Sequence, residues 1–278
     1  MKKCKRITKL VMILMTVLLS AGFSFAGDLD VFKGEKQGLR VSGGTAHIPV
    51  MEEAAKRIMS FNPDIQITIA GGGSGAGIKQ AGEGLVDIGN SGRKATDDEI
   101  AKYGLITHMW AIDGVAAVVN PKNKVKSLTR EQLRNIYSGK ITQWKDLGGE
   151  DRAINIYTRD ETSGTREVFW EKGLNKGDIS GKANVVASNG AMKSAVANDP
   201  YAVGYMSVGY LDESVSAVVL DGVVPSIATV KSVEYKVSRG LYSNTKGQAA
   251  GIVKKFIGYL SSAEGKKIVA EKGFIPAE

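Results

Sequence analysis

The sequence predicts an α/β protein of two domains with a ligand cleft between them, and three observations predict it. Strand, glycine-rich loop and helix follow one another twice near the start, first around Gly43-Gly44-Thr45-Ala46 and again around Gly71 to Gly77. Two apolar strands, near residues 115 and 217, bracket a middle segment that has strands and helices of its own, the pattern of a discontinuous second domain. The stretch RDETSGTREVFWEKG, from Arg159, sets Ser163, Gly164 and Thr165 where a helix carrying Val168, Phe169 and Trp170 should begin. Unpaired N–H groups and the positive end of a helix dipole would meet a ligand there.

Residues 1–26 precede the fold. Lys2, Lys3, Lys5, Arg6 and Lys9 lead into the apolar run Leu10 to Leu19, and Ser24-Phe25-Ala26 supplies small residues for cleavage, so a removed export signal is expected. The only cysteine, Cys4, lies before that run, which argues against a lipoprotein. Residues 27–38 are polar and glycine-containing and read as a flexible lead-in.

Leu39 to Ser42 reads as a strand, and Pro49 opens a helix whose Val50, Ala54, Ile58 and Phe61 are spaced to form one buried face. Gln66 to Ala70 is a second strand that runs into GGGSGAG and a helix at Ile78. Val86 to Gly89 is a third, ending in Asn90-Ser91-Gly92-Arg93, after which Thr96 and Glu99 have capping-box spacing. Parallel strands would bring these loops to one crevice at their carboxyl ends. Thr129 with Gln132 and Ser261 with Glu264 have the same box spacing, and Gly139 and Gly273 are placed to stop their helices. The expected division is 39–116 plus 222–278 for the first domain and 117–221 for the second, with both apolar strands as crossovers and hinges.

Composition narrows the chemistry. The net charge of +8 falls to +3 once the signal is removed, since five of the 37 basic and none of the 29 acidic residues lie there. That mild excess, with no basic run interleaved with aromatics, excludes nucleic acid as the natural partner. The mature chain has no cysteine, and its two histidines, His47 and His108, are too scattered for a metal site. The outer glycines of a nucleotide-hydrolase phosphate loop match Gly72 and Gly77, but Ile78 and Lys79 stand where that loop needs Lys and a hydroxyl residue. A phosphoester hydrolase would require an activated nucleophile or a metal cluster, and the loops carry neither. Oxyanion binding remains, through a helix start, two hydroxyls, close approach at Gly164 and the fork of Arg159.

The segments GGTAHIP, GGGSGAGIKQ, DIGNSGR, LRNIYSGKITQWKDLGG, RDETSGTREVF, AVGYMSVGY and SSAEGKKIV with GFIP occur in this order from about residue 39 to the C-terminus. Together they resemble the phosphate-binding proteins of bacterial ABC transporters in their shorter form. The resemblance implies the periplasmic binding protein fold, a monomer that closes on inorganic phosphate without cofactor or metal, and an inner-membrane permease as partner. It implies phosphate contacts from Thr45 and Ala46 in the first loop, Ser74 and Gly75 in the second, Ser91 in the third, and Arg159, Ser163, Gly164 and Thr165. Glu161 stands where relatives carry an acid bracing the arginine, and Gly92 stands where they carry aspartate or serine. Phosphate keeps a proton that sulfate lacks, so a proton acceptor is expected elsewhere, at Asp113 or Glu161; without one, sulfate or molybdate becomes the alternative ligand.

Overall fold

The computed structural model describes residues 27–278, so the expected export signal lies outside the described residues. The first lobe opens with β1 (Leu39–Gly43), α1 (Ile48–Phe61), β2 (Ile67–Gly72), α2 (Ser74–Gly82), β3 (Ile88–Ser91) and α3 (Asp97–Tyr103). The long strand β4 (Leu105–Val119) then enters a second group: β5 (Ser127–Leu128), α4 (Arg130–Tyr137), β6 (Asn155–Thr158), α5 (Gly164–Val168), β7 (Asn184–Val185), α6 (Asn189–Asn198), β8 (Ala202–Ser207), β9 (Ser216–Ala217), β10 (Val219–Leu220) and α7 (Ile227–Lys231). The chain returns through β11 (Ser238–Lys246), α8 (Gly251–Ser261), α9 (Ala263–Glu271) and β12 (Ile275–Pro276).

The main strand order is β2-β1-β3-β11-β4-β8-β6-β7, and β4 is the member common to both lobes. Its first part, Leu105 to Gly114, pairs antiparallel with β11, and Val115 to Val119 pairs antiparallel with β8. The strand is almost wholly buried from Trp110 onward, which is why it reads as a continuous apolar run. β1, β2 and β3 are parallel, so their carboxyl-end loops do open on the same side.

The second crossing differs from the expected one. Val215 to Leu220 yields two short strands, β9 on the second half of β4 and β10 on β5, both within the second lobe. The chain crosses instead just before β11, where the Val115 N–H donates to the Val237 carbonyl at 2.8 Å. Val230, Tyr235 and Val237 pack in the second core with Val115, Val203 and Tyr205, so the return falls near 238 rather than 222. Apolar character reports burial, and Val215, Val218 and Leu220 are buried although the short strands here do not cross between the lobes.

Residues 27–38 are also more ordered than expected. Asp30–Phe32 forms a 3-10 turn, and Phe32 is fully buried, edge-on to Tyr259 at 5.8 Å. The Asn62 amide donates to the Phe32 and Glu35 carbonyls at 2.8 and 2.9 Å, and Asp28 accepts from the Glu264 N–H at 2.7 Å. The boxes at Thr96 and Thr129 form as spaced. The last helix is capped by Ser262, which accepts from the Gly265 N–H, and not by a Ser261–Glu264 box. Phe61, placed by spacing on the inner face of α1, ends that helix exposed.

Candidate functional site

Between the lobes lies a narrow, tightly closed space lined by the first loop (Gly44 to His47), Gly73 and Ser74, Gly92, Arg159, Ser163 to Thr165, and Arg239. The lobes meet around it. Thr162 Oγ1 donates to the Gly72 carbonyl at 3.3 Å, Tyr210 donates to the Thr45 carbonyl at 2.7 Å, and Arg93 pairs with Glu167 at 3.0 Å. Gly164 makes the approach possible, because a Cβ there would fall 2.2 Å from Ser74 Oγ. Larger hollows lie beside Trp144 and along α8, but neither is lined by a buried cation.

Arg159 is the centre of the site. Its backbone N–H donates to the Tyr205 hydroxyl at 2.9 Å, which fixes the end of β6 against β8. The residue is 2% exposed, and its Nη2 and Nη1 donate to the Ala187 carbonyl at 2.9 Å and Thr45 Oγ1 at 3.5 Å. Nε has no partner, and no carboxylate pairs with the guanidinium among the described residues. Burial pushes its pKa down from the ordinary arginine value. A desolvated cation of this kind is costly unless an anion joins it.

Three helix starts supply the donors. The N–H groups of Thr45 and Ala46 ahead of α1, of Ser74 at α2, and of Gly164 and Thr165 at α5 meet no acceptor among the described residues. The hydroxyls are set in the same sense. Ser74 Oγ accepts from the Gly92 N–H at 2.8 Å, Ser163 Oγ from the Arg166 N–H at 3.2 Å, and Thr165 Oγ1 from Asn189 Nδ2 at 3.5 Å. Thr45 Oγ1 accepts from the Asn189 N–H at 3.2 Å and Asn189 Nδ2 at 3.0 Å as well as from Arg159. Each hydroxyl thus receives from the protein and keeps its own proton to donate. A tetrahedral oxyanion is the complement of such a surface.

Seven of the sequence-derived residues come together here: Thr45, Ala46, Ser74, Arg159, Ser163, Gly164 and Thr165. Four do not. The Gly75 N–H is taken by the Thr162 carbonyl at 3.0 Å. Ser91 is fully buried behind the site, its hydroxyl donating to the Arg93 carbonyl at 2.7 Å and accepting from Asn244 at 2.9 Å. The Glu161 side chain is 91% exposed and faces Arg166 at 4.0 Å, so it does not brace Arg159. Asp113 is buried, but its oxygens are occupied by Ser207 and Arg239 and it does not line the space.

Sequence reasoning missed His47, Asn189 and Arg239. His47 is fully buried, with its ring nitrogens 3.0 and 3.1 Å from the Gly44 and Ser91 carbonyls; burial, reinforced by the charge of Arg239, lowers its pKa to about 3. Arg239 had left a signal, since it takes the inward position between Val237 and Leu241 in an alternating strand.

Two α/β lobes that share a strand and close on donors around an unpaired buried cation define a two-lobed anion-binding protein. Residues 31–264 match the PBP superfamily domain, and the chain belongs to that superfamily and, within it, to the family of the PstS phosphate-binding proteins. The phosphate-binding protein PstS of Bacillus subtilis is 38% identical over 286 residues, covering 99% of this chain and 95% of its own. Among solved structures, a Clostridium perfringens substrate-binding protein assigned to phosphate ABC transport, with bound phosphate, is 38% identical with a TM-score of 0.82. That match covers 87% of this chain and all of the other. An ABC-type phosphate transport receptor of Vibrio cholerae is 36% identical with a TM-score of 0.69, over 85% and 99% of the two chains.

Proposed function

We propose that this chain is the extracytoplasmic substrate-binding protein of a phosphate ABC transporter, which captures inorganic phosphate between its lobes and delivers it to a membrane permease. The observation that carries this reading is Arg159, buried without a carboxylate partner among the described residues, beside three helix starts whose N–H groups have no acceptor among them. Kinship with proteins named for phosphate binding supports it. Export on a cleaved, non-lipoprotein signal to the periplasm and action as a monomer belong to the same reading. So do lobes of 39–116 plus the C-terminal part and a middle segment that moves against them, with the return near 238.

The ligand leaves unchanged in this reading. None of the lining hydroxyls donates to a base, as an activated nucleophile would. Calorimetric titration of the mature protein, stripped of endogenous ligand, tests the proposal. Saturable one-to-one phosphate binding without phosphate release from added phosphoesters is expected; absence of phosphate binding, or turnover of an ester, would overturn it.

A further inference from the structure

We propose that Arg239 is a second anion-contacting guanidinium, admitted to the cleft by the missing side chain at Gly92 and held there by Asp113, so that the site selects a tetrahedral dianion by charge and not through a carboxylate that accepts the ligand's proton. The inference rests on the phosphate reading and deepens it.

Gly92 is not required by a left-handed turn, since its φ is not among the positive ones. What it provides is room. A Cβ at that position would lie 2.5 Å from Arg239 Nη1 and 2.9 Å from its Cζ, so the guanidinium occupies the volume a side chain would fill. Nε and Nη2 of Arg239 donate to Asp113 Oδ2 at 3.0 and 2.8 Å, and Ser207 donates to Oδ1 at 2.7 Å. Nη1 has no acceptor among the described residues, and Arg239 lines the space. Asp113 is therefore a positioning residue that turns one edge of the fork away and presents the other.

Arg159 and Arg239 contribute two positive charges and Asp113 one negative. His47 is neutral, Tyr210 and Tyr205 stay protonated with their pKa values raised to about 12 by burial, and Asp160, next to Arg159 in sequence, acts on it from outside the lining. Two guanidinium groups and inward donors, with no lining carboxylate to accept a ligand proton, suit a dianion better than a monoanion. The one P–OH of dianionic phosphate can donate to the second lone pair of a lining hydroxyl such as Ser74, whereas the two of the monoanion would oppose more of the donors. Sulfate, with no proton, meets the same donors without conflict.

The test is calorimetry at pH 5.5 and pH 8 with phosphate and sulfate, on the unaltered protein, on Gly92→Ala, and on the charge-paired Asp113→Asn/Arg239→Gln variant, each with a thermal unfolding check. Phosphate affinity should rise at least tenfold from pH 5.5 to pH 8, sulfate affinity should stay within about threefold and should compete with phosphate, and both variants should weaken both anions at least tenfold while remaining folded. If phosphate binds but its affinity is flat with pH and sulfate does not compete, selection by charge is overturned while the phosphate reading stands. Folded variants within threefold of the unaltered protein would overturn the role of Arg239. Sulfate binding without phosphate binding would remove the phosphate reading and leave the Arg239 variants to be judged on sulfate; binding of neither anion would overturn both.

Discussion

Replacing Arg159 with alanine separates ligand binding from folding. The guanidinium is 2% exposed, has an unpartnered Nε, and receives only a carbonyl at 2.9 Å and a hydroxyl at 3.5 Å as acceptors. A bound oxyanion would be the one opposite charge in contact with it among the described residues, so truncation should cost about 2–5 kcal/mol of binding, the range for breaking a buried, hydrogen-bonded charge pair. At about 1.4 kcal/mol per decade this is a loss of roughly 30-fold to several thousandfold. The unliganded protein should respond differently. It loses one or two modest hydrogen bonds, worth about 1 kcal/mol each, and is relieved of an unpaired buried charge, so its stability should change by no more than about 1–2 kcal/mol in either direction. Phosphate titration by calorimetry gives the first quantity, and denaturant unfolding without phosphate gives the second. Arg159→Lys should fall between, because it keeps the charge and loses the fork. Affinity of the alanine variant within threefold of the parent would refute the placement of the anion against Arg159.

Three further outcomes follow from other contacts. Gly164→Ala places a methyl 2.2 Å from Ser74 Oγ across the cleft, so phosphate affinity should fall at least tenfold while unliganded unfolding is little changed, as read by the same two assays. His47 is lowered from 6.5 to about 3 by burial, so the unfolded chain takes up this proton first as the pH falls. Stability contributed by keeping it neutral is complete above about pH 6.5 and lost progressively down to about pH 3, by an amount on the order of several kcal/mol; in urea melts over that range, His47→Gln should flatten the decline. Phe32→Ala empties a fully buried site beside Tyr259 and should destabilise by about 3–5 kcal/mol in urea melts.

The parts of the molecule that were legible in sequence are those whose physics is local. Glycines between a strand and a helix, hydroxyls at a helix start, and Thr-x-x-Glu or Thr-x-x-Gln boxes act within a few residues, and the first loop and the Ser163 turn form as expected, whereas the second loop, expected over 71–77, shrinks to Gly73 because β2 runs on to Gly72 and α2 starts at Ser74 and not at Ile78. Contacts between distant segments were not legible. Whether Ser91 faces the ligand or lies behind it depends on Asn244, 153 positions away, and whether Asp113 meets the ligand depends on Arg239, 126 positions away. Glu161 was misplaced because adjacency to Arg159 in sequence does not survive the turn between them: the acid points to solvent and the arginine inward. The lead-in is ordered against expectation because one buried aromatic, Phe32, outweighs the polar residues around it.

A crystal structure of the mature protein grown in phosphate would show where the anion sits. One anion is expected in the space between the lobes, within hydrogen-bond distance of the Arg159 guanidinium and of N–H groups from the Thr45, Ser74 and Gly164 helix starts. Phosphate bound elsewhere, or a closed cleft left without an anion at saturating phosphate, would contradict it.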